Sequence, residues 1–151
     1  MSKNGLDDII KKLERIQKNL AEEIAPDVNE LLKDSVRFSL IDWYNDYTPN
    51  SYERTYNFMK VLNNTKTRAK GNTLIMSVDS GSMNNYVGFY GNKLQPSVAF
   101  EFFFMGGEHG HGKWMKHQSI PPYMYIDADI SSGFGGQIDN IIEQAIDRIL
   151  K

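Results

Sequence analysis

The feature that most constrains this chain is a line of apolar residues that recurs every three or four positions through its first third. This spacing places side chains on one face of an α-helix. One run covers residues 6–25 and a second covers 28–44, and between them stands Pro26, which breaks a helix or starts one. The sequence therefore predicts a helical region over residues 6–44 with a kink or short joint at Pro26. The apolar positions are Leu6, Ile9, Ile10, Leu13, Ile16, Leu20, Ile24, Val28, Leu31, Leu32, Val36, Leu40 and Trp43.

Three further segments are predicted from local patterns at either side of the middle of the chain. Turn formers around Pro49 predict a loop over residues 45–51. Residues 52–64 favour a short helix, a strand or both in succession, and the pattern leaves these alternatives open. Near the other end, apolar residues at helical spacing predict a C-terminal helix over residues 136–151.

The middle of the chain carries β-branched and aromatic runs bounded by turn residues. Residues 72–79, 86–90 and 98–104 are expected to form three successive strands of an antiparallel meander, and residues 123–126 a further short strand. The order of helices, sheet and helix predicts a single α+β domain over residues 1–151, with a mainly antiparallel sheet of three to five strands. The sheet region is expected at 55–126. It contains a glycine-rich, flexible loop at 106–119.

Composition excludes several classes of function. Seventeen Lys and Arg stand against nineteen Asp and Glu, a formal net charge of -2, which gives no overall attraction to nucleic acid. A short basic run, Lys66, Arg68 and Lys70, fits a solvated hairpin tip better than a nucleic-acid site. The absence of Cys excludes disulfides and thiolate chemistry and fits a reducing compartment. No secretory signal or membrane span is recognised, so a cytosolic product without membrane partners is expected.

The three histidines are the strongest candidates for a metal site. His109, His111 and His117 lie in one stretch beside Glu108, and imidazole and carboxylate groups are zinc ligands. The glycines around them provide no rigid frame, so the alternative interpretation is a solvated or partner-contacting loop.

Other catalytic patterns are weak. Residues 106–113 have several glycines before a Lys, but Trp114 stands where a phosphate-binding loop requires Ser or Thr. The acidic pairs lie mainly on exposed helical faces, and no Gly-x-Ser-x-Gly elbow occurs. The sequence therefore predicts a protein that is not an enzyme and has no cofactor.

Aromatic residues are unusually concentrated in two places. Residues 98–104 are rich in phenylalanine, and consecutive residues of a strand point to opposite faces, so one face would need a cover from a helix of this chain or from a neighbouring subunit. Tyrosine and tryptophan are typical of interface centres. The other group surrounds Pro49 and consists of Trp43, Tyr44, Tyr47, Tyr52 and Tyr56.

Three segments together resemble the tail-completion or neck proteins of long-tailed bacteriophages, also described as head-tail joining or minor capsid proteins. The first is a long helical region that ends in a Pro-containing loop and continues into residues 52–55. The second is residues 98–102 closing at Gly106-Gly107, and the third is Pro121-Pro122-Tyr123-Met124 before an amphipathic helix. The chain departs from the family pattern by its His-rich stretch and by lacking Asp-Thr-Gly in the Pro loop.

The resemblance implies a structural virion protein, a ring-forming adaptor or tail-completion subunit that acts in head-tail assembly. It implies a homo-oligomer, expected to be a hexameric ring, that contacts neighbouring connector and tail proteins. Such a protein is found in the host cytoplasm during assembly and then in the virion. The expected interface residues are Tyr47, Tyr52, Phe104, Trp114 and Tyr123. The alternatives are a metal-dependent enzyme that uses the His-rich loop, and a small toxin or regulator of a mobile element.

Overall fold

The computed structural model describes residues 3–45, 55–87, 91–104 and 122–151, without the side chains of residues 3–4 and 102–104. The predicted α+β class is confirmed. The loop predicted at 106–119 and most of the loop predicted at 45–51 lie outside the described residues. In chain order the elements are helix α1 (Lys3–Asn45), a 3-10 helix (Asn57–Asn64), strands β1 (Lys66–Lys70), β2 (Thr73–Ser77), β3 (Tyr86–Val87) and β4 (Lys93–Leu94), and helices α2 (Pro96–Phe104), α3 (Pro122–Ser131) and α4 (Gln137–Leu150).

Helix α1 is a single helix of 43 residues that runs through Pro26, so the predicted short joint is wrong, and the alternative of a kink stays a prediction. A proline inside a helix removes one hydrogen bond, but packing of the residues around it can outweigh that loss. Ala25 and Val28 on either side of Pro26 are buried, whereas Pro26 itself faces solvent. Despite the length of α1, neither it nor any other helix of the described ranges has an apolar run that could cross a membrane.

The core lies along the C-terminal two thirds of α1. The predicted C-terminal helix is confirmed as α4, and Ala145 of α4 is fully buried against Ile24 and Val28. Farther along α1, the larger cluster gathers side chains from α1, the 3-10 helix and α3 around Leu32, Val36 and Leu40. Both helices α3 and α4 therefore pack on α1.

The strands form two separate hairpins in place of the predicted meander. Strand β1 pairs antiparallel with β2 from Lys66 opposite Ser77 to Lys70 opposite Thr73, and β3 pairs antiparallel with β4. The number of described strands falls within the expected three to five, but they do not join into one sheet. The basic run lies along the solvent side of β1 and not at the hairpin tip, which is Gly71-Asn72.

Two predicted strands are helices. Residues 98–104 belong to α2 and residues 123–126 to α3, so the argument that alternating phenylalanines need covers on both faces of a strand fails. Each helix begins with a proline, Pro96 or Pro122, and proline is favoured at a first helical position because its missing N–H would have no partner there. A short apolar run does not distinguish a strand from a buried helix, and this ambiguity explains the error.

Candidate interaction surfaces

An aromatic cluster, defined here as Trp43, Tyr44, Tyr56, Phe58 and Tyr86, lies at the C-terminal end of α1. Ring centroids are 5.1 Å apart for Trp43 and Tyr44, 5.5 Å for Trp43 and Phe58, 4.9 Å for Tyr44 and Tyr56, and 5.9 Å for Phe58 and Tyr86. The Tyr44 hydroxyl also accepts a hydrogen bond of 3.2 Å from the Phe58 backbone N–H. The cluster therefore joins α1 to the 3-10 helix and to β3.

One ring of the aromatic cluster faces solvent. Tyr56 is 55% exposed, and its φ of 49° puts it in the left-handed region that a non-glycine residue seldom occupies. Strained backbone of this kind persists only where surrounding contacts hold it, and here the contact is with the ring of Tyr44. The strain presents an aromatic side chain at the surface, immediately after the undescribed residues 46–54.

A reciprocal pair of hydrogen bonds supports the aromatic cluster from the other side. The Asn57 side-chain amide donates to the Asn84 carbonyl at 2.8 Å, and the Asn84 backbone N–H donates to Asn57 Oδ1 at 2.8 Å. Burial raises the pKa of the neighbouring Tyr86 hydroxyl to about 12, although a hydrogen bond with Asn57 acts in the opposite direction. Tyr86 is therefore uncharged at neutral pH and packs as part of the core edge.

The turn that leads into this pair is also fixed by hydrogen bonds. Asp79 Oδ1 accepts from the Gly81 backbone N–H at 2.8 Å and from Asn64 Nδ2 at 2.7 Å. These bonds, with that of Gly81 first, hold the pKa of Asp79 below its ordinary value of 3.8. A Cβ added at Gly81 would come within 2.5 Å of Asn64 Nδ2, so a glycine fits this turn.

A shallow depression, called here the α1–α3 depression, opens where α3 and the start of α4 meet the middle of α1. Its volume is about 160 Å³. Ser35 Oγ donates a hydrogen bond of 2.6 Å to Asp129 Oδ2, and Arg37 donates to Asp34, so both carboxylates have partners. The lining residues are Leu31, Asp34, Ser35, Phe38, Asp129, Phe134 and Gln137.

The chemistry of the α1–α3 depression suits contact with another molecule better than catalysis. Phe38 at its rim is 64% exposed, and Ser35 donates to a carboxylate without an imidazole among the described lining residues. A hydroxyl nucleophile needs a base to take its proton, and a carboxylate is a weak base for this purpose. The depression therefore combines polar lining residues, Asp34, Ser35, Asp129 and Gln137, with the large exposed ring of Phe38 at its rim.

A left-handed turn lies beside the depression and contributes Phe134 to its lining. Gly133, Phe134, Gly135 and Gly136 have φ values of 61°, 52°, 66° and 83°. Glycine occupies this region without steric cost, whereas Phe134 is strained there. The Phe134 backbone N–H donates to the Asp129 carbonyl at 2.7 Å, and its side chain is buried in the larger cluster. The turn thus directs one ring inward and starts α4 along α1.

The N-terminal stripe, defined here as Leu6, Ile9, Ile10 and Leu13, is the most continuous apolar surface that the described residues leave open. These side chains are 54%, 47%, 45% and 59% exposed, respectively. Every described residue from Gly5 to Arg15 faces solvent, and burial begins near Leu20 and Ala21. The sequence indicated that these residues share a helical face, but it gave no sign that the face is open.

The predicted site residues are only partly described. Tyr47, Tyr52 and Trp114 lie outside the described residues, as do the candidate metal ligands His109, His111 and His117. Phe104 ends α2, and its side chain is not described. Tyr123 is 37% exposed near the start of α3, between buried Pro122 and the exposed Met124 and Tyr125. The interface and metal hypotheses at the undescribed positions remain predictions.

The structure adds three surfaces that the sequence did not identify as sites. The α1–α3 depression has no local pattern in the sequence, because its hydrogen-bonded partners Ser35 and Asp129 lie far apart along the chain. The rings of Trp43, Tyr44 and Tyr56 were grouped correctly, but Phe58 and Tyr86 join them only in the fold. For the N-terminal stripe, the regular apolar spacing indicated a shared helical face but not its exposure. Among the described residues, no group of three or more His, Cys, Asp or Glu could hold a metal ion.

Comparison of the chain with known proteins gives one relationship. Neither the curated proteins nor the solved structures include a match. Residues 4–130 match the YomN family. This range includes both hairpins and α2, and nearly all of α1 and α3. Because this match extends over most of the sequence, the chain belongs to the YomN family, a phage-associated protein family.

Proposed function

We propose that this chain is a structural protein of the phage particle that acts at the neck or tail end, as a ring-forming adaptor or tail-completion subunit in head-tail assembly. It forms a homo-oligomer, a hexameric ring, and contacts the neighbouring connector and tail proteins. It is made in the host cytoplasm and becomes part of the virion. It works by binding other proteins and not as an enzyme.

The observation that carries this proposal is the amount of apolar surface that the described chain leaves open at separate places. Contiguous exposed apolar surface is typical of protein contacts, because its burial is the main favourable term in association. The N-terminal stripe lies at one end of α1, and Phe38 lies beside the α1–α3 depression near the other. The helix rises by about 37 Å from Leu13 to Phe38 at roughly 1.5 Å per residue, so these surfaces can meet different neighbours.

The shape of the chain supports an adaptor role. Helix α1 has 43 residues and is therefore about 65 Å long at roughly 1.5 Å per residue. Its C-terminal two thirds carry the packed body, while residues 5–15 are exposed in the part of the chain that the structure describes. A rigid body with a projecting helix can hold two partners at a fixed separation, which is what a junction between two structures requires. The phage association of the family agrees with this role.

The proposed interface includes Tyr47, Tyr52, Phe104, Trp114 and Tyr123. Of these, Tyr123 has a described side chain, and it is exposed in the first turn of α3, as are Met124 and Tyr125 on other sides of that turn. Aromatic residues and methionine are enriched at protein interfaces, and the buried Pro122 and Ile126 hold the helix in place. Tyr123 is therefore the position at which the interface proposal is most directly tested.

The test uses a phage or prophage that encodes this chain. Its deletion should yield filled heads and separate tails, counted by electron microscopy, and infectivity should return when the chain is supplied from a plasmid. The variant Tyr123→Ala should restore infectivity less well than the matched surface variant Ile75→Ala, which changes an exposed residue of β2. Normal joined particles without the chain would overturn the proposal.

A further inference from the structure

We propose that the N-terminal stripe is the surface through which copies of this chain associate, and that these helices form a closed parallel bundle of more than two copies. This inference deepens the proposed function, because it names the contact that would hold a ring together. It rests on four observations: the spacing of the stripe, its width, its charges, and the point along α1 from which α4 covers the helix.

The spacing is that of a helix that packs against similar helices. Leu6, Leu13 and Leu20 stand seven residues apart, with Ile9 and Ile16 three residues after the first two. These are the a and d positions of a heptad, whose side chains insert into gaps between side chains of a facing helix. Leucine at a with isoleucine at d favours bundles of more than two helices over pairs.

The width of the stripe agrees with more than two copies. Ile10 takes the e position beside the seam and is 45% exposed, so the apolar surface is broader than one neighbouring helix covers. The exposed segment from Gly5 to Arg15 is only about 16 Å long at roughly 1.5 Å per residue. A pair of such segments would bury little compared with the ~800 Å² per partner of a stable interface. In a closed bundle each helix contacts two neighbours, which increases the buried area.

The charges beside the seam permit copies to approach in parallel. In this register Lys12 is at g and faces Gln17 at e of the next copy, so no like charges are opposed. On the outer face, Asp7 and Lys11, and likewise Glu14 and Lys18, have the acid-before-base spacing of four residues that stabilises a helix. A parallel arrangement is also what the rotational symmetry of a ring requires.

The same line of α1 is already a helix-binding surface farther along. The next d and a positions after Leu20 are Glu23 and Asp27, and both accept hydrogen bonds from Arg148 of α4, at 2.5 and 3.1 Å. Beyond this point α4 covers α1 within one chain, with Ala145 against Val28. Inside each copy, α4 covers the later part of α1. In the inferred contact, helices of neighbouring copies cover its N-terminal part.

A membrane surface is a less suitable cover for the stripe. A membrane-surface helix is typically rich in Lys and Arg with Trp or Phe on its apolar side, whereas residues 3–20 mix acids with bases and have no aromatic residue.

The decisive experiment measures the mass of the full-length chain in solution by analytical ultracentrifugation. We expect the wild type to sediment as more than two copies and the double variant Ile9→Lys, Leu13→Lys to sediment as one. Because both side chains are exposed, the variant should keep its helical circular dichroism. The control Ile75→Lys introduces one lysine at an exposed isoleucine of β2 and should keep the wild-type mass.

An exchange variant tests the heptad itself without changing composition. Leu6→Ile, Ile9→Leu, Leu13→Ile and Ile16→Leu place isoleucine at a and leucine at d, a choice that favours two-stranded coils. The mass should therefore fall towards two copies. A wild type that is monomeric at every concentration, or an unchanged mass in the double Lys variant, would overturn the inference. So would a monomer that binds phosphatidylglycerol vesicles through the stripe.

These outcomes are separable from those of the proposed function. If the double Lys variant keeps its mass but deletion of the chain still blocks head-tail joining, the inference fails and the proposed function stands. If the double Lys variant becomes monomeric but particles form normally without the chain, the contact stands and the proposed function fails.

Discussion

Helix α1 contains two parts with the same apolar periodicity and opposite surroundings. From Ala21 to Tyr44 its apolar face is buried by α3, α4, the 3-10 helix and the first hairpin, and Val36 is fully inaccessible. From Gly5 to Arg15 the corresponding face is open, and Leu13 is 59% exposed. The difference shows that a regular apolar stripe predicts that a helix will have a partner, but not whether the partner belongs to the same molecule.

The boundary between the two parts has a structural cause. Helix α4 starts at the left-handed turn at residues 133–136, runs along α1 and ends at Leu150, close to where Arg148 meets Glu23. Residues 5–15 of α1, which lie more than one helical turn before this contact, are exposed. The length of α4 therefore decides how much of α1 is covered inside one chain.

The largest expected effect separates the two parts directly. Leu32→Ala creates a cavity at a side chain that is 2% exposed and should lower the free energy of unfolding by about 2–5 kcal/mol. Leu13→Ala should change it by no more than about 0.5 kcal/mol in dilute protein, because a solvated side chain loses little. Urea unfolding followed by circular dichroism measures both. Equal losses would mean that the N-terminal part of α1 is also covered within the chain, and the difference between the two parts would not exist.

A second variant weakens the turn that lays α4 over α1. Gly135 has a φ of 66° and nothing within 4 Å of an added Cβ, so Gly135→Ala is unfavourable through the backbone alone. A left-handed conformation costs a residue with a side chain roughly 1–2 kcal/mol. The control Asn140→Ala lies on the exposed side of α4 and should cost less. A neutral result at Gly135 would show that the turn does not limit the cover of α1.

The covered end of α1 also has a pH dependence. Burial raises the pKa of Tyr86 from 10.0 to about 12, so the unfolded chain loses this proton at lower pH than the folded chain does. Stability from this group is therefore fully present below pH 10 and is lost as the pH rises from about 10 to 12. Urea midpoints at pH 9 and pH 11.5 should fall less in Tyr86→Phe than in the wild type. Identical falls would remove Tyr86 as the cause.

The smallest effect is expected at the boundary itself. Arg148→Ala removes the contacts with Glu23 and Asp27, but all three side chains are substantially exposed. Exposed ion pairs contribute little and are screened by salt. The urea midpoint should fall slightly at low salt and match the wild type at high salt. A large fall in the urea midpoint that persists at high salt would mean that the contacts of Arg148 fix α4 on α1 and thereby set where the covered part of α1 begins.

Part of the fold could be predicted because its causes are local. The apolar faces of α1 and α4 follow from residue spacing, and β2 follows from its β-branched residues next to Gly71-Asn72. The strands predicted at 98–104 and 123–126 were wrong, because short apolar runs suit both a strand and a buried helix. At Pro26 the pattern predicted a joint, and packing around Ala25 and Val28 outweighed it.

The interaction surfaces show the same limit. Tyr123 is 37% exposed, and its place at an interface stays a prediction. The α1–α3 depression was not predictable, because Ser35 and Asp129 meet only after α3 packs on α1. Sequence periodicity found the residues of the N-terminal stripe but not their exposure.

By itself, the sequence determined the α+β class, the helical nature of both ends and the line of apolar residues along α1. These features arise from hydrogen bonds and side-chain contacts between residues a few positions apart. Only the tertiary structure decided that α1 continues through Pro26, that residues 96–104 are helical and that the first turns of α1 remain open. The physical reason is that burial depends on which distant segments reach a given face, and the length and direction of α4 set that reach.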